Sequence, residues 1–329
     1  MTESVALHGP ADEQALYAHR ALQSVGRGLS SRALRRLDAA IGLLIFLADA
    51  GSGEVPNHGA NDGGRALLLS TAAYRDFRPL LTLSAAIRGT PLPGDIVPDA
   101  ELSRWIGTRL PPAASQRRDG IVTGASGWVA GRVSGCVFFL RAGTYRHRPS
   151  HLDALHLDVR IGGREIVTDA GTYAYNAPKP WNNGLAGAEV HNGPVLPGEE
   201  LAQRGPRFLW LSWPKARLLS AEFVSGRAHL IAERPGVVRR EVIVEEGCVR
   251  VRDSALSRDA RLLQVTWLLH PDAHTASLDV DDAKQIPAGE GDVTGWYSAT
   301  YGVRRRSLAI RVVRRVGEGG AGIATTIRP

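Results

Sequence analysis

The stretch from residue 147 to residue 192 combines β-strand alternation with side chains that can do chemistry. It carries four histidines, three aspartates and two closely spaced tyrosines. Histidine is the side chain most easily poised for proton transfer near neutral pH, and it is also the commonest metal ligand. The core of a sheet needs neither property. The clustering of these residue types at strand ends therefore predicts a functional site.

The strand that opens this stretch divides its polar side chains between two faces. Because successive side chains on a strand alternate, His151 and Asp153 share one face, whereas His156 and Asp158 share the other. His151 and Asp153 can therefore project together into one cleft. The alternative is a strand-end aspartate that caps a turn beside a solvated histidine.

A β-hairpin follows, because two consecutive glycines separate two strand-like runs. In its simplest register, Asp158 lies opposite Val167 and His156 lies opposite Asp169. Spacing therefore favours His156 as the partner of Asp169, either as a second metal ligand or in an acid–base pair. A β-bulge or a strand bend is needed to bring His151 to Asp169 instead. The alternative for Asp169 is a structural carboxylate that accepts backbone N–H groups in the turn.

Three more residues of the stretch are candidates. His191 follows a long loop, so spacing does not fix its position relative to the hairpin. A set of two histidines and an aspartate suits zinc, with a fourth position for water or substrate. Tyr173 and Tyr175 alternate on a predicted strand and so face the same side, where they can stack on sugar rings. The alternative for at least one of them is ordinary packing.

The elements that position these residues change in type along the chain. From about residue 119 onward, short alternating segments separated by Gly, Asn, Asp or Pro predict many strands, which is typical of a β-sandwich. Residues 1–112 instead have the apolar spacing of helices, including a short one at 65–74. We therefore predict an α+β multidomain chain, with a short helical segment over 1–112 and a large antiparallel β-sandwich over 119–329.

The helical segment adds polar residues that can line a site. Tyr17 lies on the first predicted helix, and Asn57 and Asn61 lie in a polar loop between two apolar helices. Such loops frequently contribute to binding sites. The alternative is that the asparagines only cap the loop.

Composition narrows the classes of partner. The 329 residues carry a formal net charge of +7, which indicates a solvated basic surface or attraction to a polyanion such as an acidic polysaccharide. The arginines form no basic run with interleaved aromatics, so nucleic acid is not expected. No nucleotide-binding motif is present, so no nucleotide cofactor is predicted. The longest apolar run, at 39–50, is too short for membrane insertion, and the N-terminus has no export signal.

The residues above resemble the heparinase II/III family of polysaccharide lyases. The family pattern is H-x-D-x-L, a glycine-containing hairpin, D-x-G-T-Y-x-Y and a later H-N. This chain reads HLDALHLDVRIGGREIVTDAGTYAYN and then VHN. The resemblance extends from about residue 12 to about residue 270. It implies the end of an incomplete α/α toroid followed by stacked antiparallel sheets, and localisation in the periplasm or cell envelope.

The resemblance also implies a reaction and roles for residues. The reaction is β-elimination of polysaccharides that contain uronic acid, such as glycosaminoglycans, and one branch of the family binds zinc. The match selects His151 over His156 as the first metal ligand. The match carries over a metal-binding role, with zinc favoured, to His151, Asp169 and His191, and a catalytic role to Tyr17. Taking the residues and the resemblance together, we also assign catalytic roles to His151 and Tyr175, and substrate binding to Asn57, Asn61, Tyr173 and Asn192.

The sequence departs from the family in two ways. Many members carry a catalytic histidine two residues before the first metal-type histidine, and here that position is Pro149; His147 or His151 is then the substitute, or activity is lost. The helical segment is also far shorter than a full toroid. We therefore expect a truncated or C-terminal portion of a lyase. The alternatives are a non-catalytic carbohydrate-binding or scaffold protein, and a metal-dependent hydrolase using the same three ligands.

Overall fold

The computed structural model describes residues 9–329, except for 61–62, 66, 68, 146–148, 207–208, 258, 260 and 317–321. Asn61 and His147 therefore lie outside the described residues. The chain divides into two compact units, one made of Met1–Val55 with Gly63–Arg118 and the other of Pro56–Asp62 with Asp119–Pro329. Within the part that is described, no helix is both long enough and apolar enough to span a membrane.

The first unit is helical. Its helices are α1 (Gly9–Gln23), α2 (Ser31–Leu47), α3 (Arg78–Arg88) and α4 (Ala100–Ile106). The side chains of Ser30 and Asp99 precede α2 and α4 and accept backbone N–H groups from the first turn of each helix. Such caps satisfy donors that have no partner within the helix. Helices α3 and α4 end at glycines in the left-handed conformation, as expected for a helix C-terminus.

The predicted helix at 65–74 is wrong, because none of its described residues is helical. The Arg65 guanidinium donates to the carbonyl oxygen of Ala73 at 2.6 Å. The backbone N–H of Thr71 donates to the Glu101 carboxylate at 2.7 Å. Side chains thus satisfy backbone groups that a helix would pair internally, and they hold the segment in a non-helical form.

The second unit is built from antiparallel sheets. The first sheet has the order β1-β2-β3-β4-β5, with β1 (Gly120–Thr123), β2 (Trp128–Val133), β3 (Cys136–Arg141), β4 (Leu157–Ile161) and β5 (Arg164–Val167). The remaining strands are β6 (Pro194–Val195), β7 (Arg217–Val224), β8 (Arg227–Arg234), β9 (Val238–Glu245), β10 (Cys248–Ala255), β11 (Leu262–Leu268), β12 (Leu278–Asp279), β13 (Lys284–Pro287), β14 (Trp296–Thr300), β15 (Val303–Arg306), β16 (Leu308–Arg315) and β17 (Gly322–Ile327). They form sheets in the orders β12-β17-β10-β9-β8-β7, β13-β16-β11-β6 and β14-β15.

The three larger sheets share one hydrophobic core. Phe138 of the first sheet, Val242 of the second and Trp267 of the third belong to the same cluster of buried side chains. Burial alternates strictly along β9, as a strand with one face on a core requires. Four helices followed by stacked antiparallel sheets confirm the predicted fold class.

Strand β4 differs from this pattern because it is buried on both faces. Leu157 and Val159 point into the hydrophobic core, whereas Asp158 and Arg160 are buried on the opposite side. Buried charged groups need partners. A polar cluster must therefore form on the face of β4 that carries Asp158 and Arg160.

The hairpin of β4 and β5 has the predicted register only near its turn. Ile161 pairs with Arg164, but Val159 pairs with Val167, so one extra residue lies in β5. The predicted pairing of Asp158 with Val167 is therefore wrong. The cause is the start of a second pairing, because the carbonyl of Ile166 accepts the N–H of His270 beyond β11. This β-bulge is the kind of irregularity that reaching His151 from Asp169 required.

Candidate functional site

Three loops of the second unit bring His151, Asp169 and His191 together. His151 lies between β3 and β4, Asp169 follows β5 by two residues, and His191 ends a short 3₁₀ turn. One candidate ligand atom from each residue lies within 4.8 Å of the others. All three residues are at most 2% exposed, so the cluster is enclosed by protein.

Asp169 is at the centre of the cluster. His191 Nδ1 lies 3.2 Å from Asp169 Oδ2, and His151 Nδ1 lies 3.9 Å from Asp169 Oδ1. Neither contact has the geometry of a hydrogen bond. Both nitrogens of each ring and Asp169 Oδ2 are buried without a hydrogen-bond partner among the described residues. Because buried polar atoms are nearly always hydrogen-bonded, this group of lone pairs points to a ligand.

The protonation states of His151 and Asp169 suit a cation. Burial lowers the pKa of His151 to about 4, so its ring is neutral near neutral pH. Burial acts to raise the pKa of Asp169, but the neighbouring histidines, His191 first, outweigh it and hold that pKa below its usual range. Imidazole nitrogens and carboxylate oxygens are donors that zinc prefers in proteins. The donor set and its burial therefore fit a divalent metal.

Two hydrogen bonds hold Asp169 in its turn, one to its carboxylate and one from its backbone N–H. The N–H of Gly171 donates to Asp169 Oδ1 at 2.7 Å, and the N–H of Asp169 donates to Asp158 Oδ1 at 2.9 Å. Gly171 has a positive φ of 76°, and a Cβ atom there would lie 2.0 Å from the carbonyl oxygen of Ser298. Only glycine fits this turn, and the turn directs Oδ2 towards the histidines.

His156, which spacing favoured as the partner of Asp169, is committed elsewhere. Its Nδ1 accepts the backbone N–H of Asn192 at 3.0 Å, and its Nε2 lies 3.2 Å from Asp158 Oδ2. A backbone N–H can only donate, so we assign the proton of the ring to Nε2, which donates to Asp158. Both nitrogens are thus used, and the cluster contains His151, as the resemblance implied.

Asn192 ties the loop that carries His191 to the hairpin. Its side-chain Nδ2 donates to the carbonyls of Leu157 and Thr168, both at 3.1 Å, and its Oδ1 accepts the N–H of Leu268 at 2.7 Å. The residue is completely buried. The structure therefore places this predicted substrate contact in the interior, where its amide joins three segments.

Arg240 supports the same loops from the second sheet. Its guanidinium makes two hydrogen bonds of 2.8 Å to the Asp253 carboxylate and lies over the Trp267 ring, 4.9 Å from the centroid. It also donates to the carbonyl of Leu155 at 2.7 Å and to the carbonyl of Asn192. Arg240 and Asp253 are both fully buried. A charged pair in the core thus holds the backbone on both sides of the cluster.

An open cleft of about 960 Å³ is lined by residues that are near the cluster in sequence. Leu152, next to His151, and Glu189, two residues before His191, both contribute to its wall. The cleft offers two aromatic rings, several amides and charges of both signs. These side chains are Tyr175, Trp210, Asn176, Asn182, Asn183, Lys179, Arg204, Glu189, Glu199 and Glu200. Such a lining suits a ligand with apolar faces, hydroxyl groups and charge.

The two predicted tyrosines do not lie on a strand. Tyr173 has a positive φ of 58°, which breaks the alternation, so the expectation that both side chains face one side is wrong. The Tyr173 ring packs edge-on against Trp181 and beneath the guanidinium of Arg304. The Tyr175 ring packs against Tyr301 and lines the cleft. The structure therefore brings Tyr175, and not Tyr173, to the open surface of the cleft.

The remaining predicted residues are distributed between the units. Tyr17 lies half-buried on α1, and burial, followed by the charge of Glu13, raises its pKa to about 12. Its catalytic role stays a prediction from the resemblance. Asn57 is buried in the second unit and donates to the carbonyl of Ser298 at 3.2 Å. Pro149 is also buried.

Sequence reasoning passed over two residues that the structure brings forward. His58 lies in the loop that contains Asn57, and its side chain is 12% exposed and 3.9 Å from Asp153. Trp210 lines the cleft. His58 could have been identified as a candidate because it is a histidine inside a polar loop between apolar helices. Trp210 could have been identified because it is an aromatic residue in a strand-like run.

Comparison with known proteins places this arrangement in a family. The heparinase II/III-like C-terminal domain matches residues 115–324. The heparan sulfate lyase HepC from Pedobacter heparinus is 16% identical with a TM-score of 0.69, and the match covers 100% of this chain and 52% of that one. Heparinase III is 13% identical with a TM-score of 0.62, over 96% of this chain and 52% of that one. No curated protein sequence matches significantly.

These likenesses differ in what they show. At such low identity, the two lyase structures show the fold alone, and this chain spans about half their length. The matched domain, by contrast, covers more than half of this chain and contains His151, Asp169 and His191. The chain belongs to the heparinase II/III-like family.

Proposed function

We propose that the chain is the C-terminal portion of a polysaccharide lyase that cleaves a uronic-acid-containing glycan by β-elimination. The observation that carries this proposal is the buried cluster of His151, Asp169 and His191, which lies inside the matched domain, and Leu152 and Glu189, near it in sequence, line an open cleft. The rings of Tyr175 and Trp210 offer faces for sugar rings, and the amides of the cleft offer partners for hydroxyl groups.

β-Elimination moves one proton off the sugar and another onto the leaving group. A base takes the proton at C5, the electron pair of that bond forms the C4–C5 double bond, and the bond from C4 to the bridging oxygen breaks. An acid protonates the departing oxygen. Because the C5 proton is only weakly acidic beside a charged carboxylate, the site must also neutralise that carboxylate.

The cleft supplies groups for two of these tasks. Lys179 and Arg204 carry positive charge on its wall and are our candidates for binding the uronate. Tyr175 is our candidate for the acid, because its side chain lines the cleft. His151 is too enclosed to touch a glycan, so its role is within the cluster.

The cluster has a supporting role in this scheme. A divalent metal bound by His151, Asp169 and His191 would supply a fixed positive charge and join the hairpin to the loop that ends at His191. The His191 loop also forms part of the cleft wall through Asn183 and Glu189. The cluster thus keeps this wall in place for the glycan.

The decisive assay follows the ultraviolet absorbance of the unsaturated uronate product. The chain is incubated with a panel of acidic glycans, in parallel with a family member that has a complete helical domain. Absorbance should rise with at least one glycan for the chain. No rise with any glycan, from either protein, would falsify the lyase proposal.

A non-catalytic carbohydrate-binding protein is the second candidate. Pro149 favours it, because proline has no group for proton transfer at a position where the family resemblance implies a histidine. This function predicts glycan binding without turnover, and binding that is unaffected by His151→Ala. Calorimetric titration with the same glycan panel separates the two candidates.

A further inference from the structure

The β14–β15 hairpin is fixed to the segment that carries Tyr175, a residue of the cleft wall. The N–H of Gly302, in the hairpin turn, donates to the carbonyl of Tyr173 at 2.7 Å. The N–H of Tyr175 donates to the hydroxyl of Tyr301, in the same turn, at 3.2 Å. Because both hydrogen bonds join the turn to residues 173–175, the hairpin continues the surface of the cleft beyond Tyr175.

Tyr301 adds an exposed aromatic ring to this surface. Its ring centroid lies 5.3 Å from that of Tyr175, and the two ring planes are tilted by 52°. Tyr301 is 37% exposed, although its hydroxyl is held by the N–H of Tyr175. A tyrosine ring that is held in place and open to solvent can stack on a sugar ring with little loss of side-chain entropy.

Two arginines of β15 carry positive charge that no carboxylate of the described residues balances. Arg304 and Arg306 alternate with Arg305 and therefore share one face of the strand. Arg305, on the other face, pairs with Asp272 at 2.6 Å. Neither Arg304 nor Arg306 has an ion pair in the part of the chain that the structure describes. Within that part, the buried Nη1 of Arg304 also has no hydrogen-bond acceptor, which is rare for a buried donor.

Aromatic rings hold both guanidinium groups in place. The Arg304 guanidinium lies over the Trp181 ring, 3.8 Å from the centroid, and also over Trp296 at 4.4 Å. Arg306 lies over Trp296 at 5.3 Å and is exposed. Trp181 directly follows Pro180, which lines the cleft. Contacts with rings orient a guanidinium but supply no negative charge, so both arginines are preorganised for an anion from outside the chain.

We propose that the β14–β15 hairpin is an accessory subsite of the cleft, in which Tyr301 stacks on a further sugar ring of an acidic glycan and Arg304 and Arg306 bind its anionic groups. This inference rests on the proposed function for the class of the ligand. The shared chemistry of that ligand is an oxyanion, either carboxylate or sulfate, which the planar fork of arginine binds through paired hydrogen bonds. The formal net charge of +7 also favours a polyanion.

A subsite of this kind affects binding rather than the chemical step. It contacts a sugar outside the reacting bond, so it stabilises the bound glycan equally in the ground state and in the transition state. Such uniform binding lowers KM and leaves kcat unchanged. Long glycans gain from it, whereas an oligosaccharide that fills only the cleft does not.

The binding test compares Arg304→Gln, Arg306→Gln and Tyr301→Ala with Arg305→Gln in the full chain. Arg305→Gln is the matched control, because it also removes a positive charge from β15 but on the opposite face. Calorimetric titration at physiological salt, which screens long-range attraction, uses polygalacturonate for carboxylate, dextran sulfate for sulfate and dextran as the neutral polymer. The polymer whose binding depends on these residues identifies the anionic group.

The wild type should bind at least one of the anionic polymers more tightly than dextran. We expect Arg304→Gln and Arg306→Gln to weaken this binding by about 3- to 10-fold each, and Tyr301→Ala by about 2- to 10-fold. Arg305→Gln should stay within about 2-fold of wild type. Because Arg306 is exposed, its variant tests the subsite even if Arg304→Gln disturbs the aromatic packing.

Equal weakening by Arg305→Gln, or unchanged binding in the other variants, refutes the subsite. Kinetics on a glycan that the wild type eliminates separate it from the lyase proposal. The variants should raise KM for the polymer, keep kcat, and leave KM for a short oligosaccharide of the same glycan unchanged. Elimination with an unchanged KM for the polymer refutes the subsite and leaves the lyase function standing. Binding that depends on Arg306, without elimination of any glycan, refutes the lyase function and supports the subsite.

Discussion

Replacing Arg240 should destabilise the sheet unit and weaken metal binding together. In Arg240→Met the Asp253 carboxylate, which is completely buried, loses two hydrogen bonds of 2.8 Å from its only charged partner in the described structure. Removing one member of a buried ion pair costs about 3–5 kcal/mol, because the other charge is left without compensation. The carbonyls of Leu155 and Asn192 lose a donor as well.

The assay for this variant is urea denaturation followed by circular dichroism, together with competition titration of zinc. We expect the free energy of unfolding to fall by about 3–5 kcal/mol and zinc affinity to fall by roughly 10- to 100-fold. The loss of zinc affinity follows because Arg240 holds the carbonyl of Asn192, next to His191.

Arg217→Ala is the matched control for Arg240→Met. Arg217 also pairs with a carboxylate, that of Glu233 at 2.7 Å, but its side chain is 61% exposed, so its loss should cost about 1 kcal/mol or less. Equal effects of the two variants, or an Arg240→Met protein as stable as wild type, would refute this account. The double variant Arg240→Met/Asp253→Leu should recover much of the stability, because it leaves no buried charge.

Three further predictions concern the cluster, the cleft and acid stability. Zinc at about 100 times its dissociation constant should raise the free energy of unfolding by about 2.7 kcal/mol, measured by thermal unfolding. The His191→Ala variant should lose this stabilisation, whereas the control His274→Ala should retain it. Trp210→Ala should weaken glycan binding by roughly 2- to 10-fold in calorimetry, and unchanged affinity would remove Trp210 from the binding surface. Hydrogen bonds from Arg239 and Arg217 lower the pKa of Glu233 below its ordinary 4.5. Their stabilisation is therefore complete above that pH and is lost as the pH falls through the lowered pKa. In urea denaturation across the acidic range, Glu233→Gln should lose less stability than wild type as the pH falls, and parallel pH profiles for the two proteins would contradict this.

The sequence predicted the fold class because its signals are local. The alternation of apolar residues along β9 indicates a strand, and glycines indicate the hairpin turns. Both signals can be recognised from residues that lie within a few positions of one another in the sequence. The false helix at 65–74 marks the limit of such signals. Its residues have helical spacing, but hydrogen bonds to Glu101 and within the segment decide its form.

The site was only partly predictable for the same reason. The extra residue in β5 arises because the strand begins to pair with the segment after β11, about one hundred residues away in sequence. Spacing alone therefore favoured His156, which the structure commits to Asp158 and Asn192. The resemblance supplied His151, since a family motif retains information about long-range contacts. The positive φ of Tyr173 had no clear local signal, because such values are rare for residues other than glycine.

The grouping of residues 56–62 with the sheet unit has a consequence for how this domain can be inherited. The unit is discontinuous in sequence, since helices α3 and α4 are encoded between its two parts. A gene segment that begins near residue 119 carries every strand that the structure describes but omits Asn57, which donates to Ser298, and His58, which packs on Phe139. Recombination at that point would transmit the sheets without Asn57 and His58. Gene fusions and fissions that preserve these contacts have to carry the codons for residues 56–62 together with those for residues 119–329.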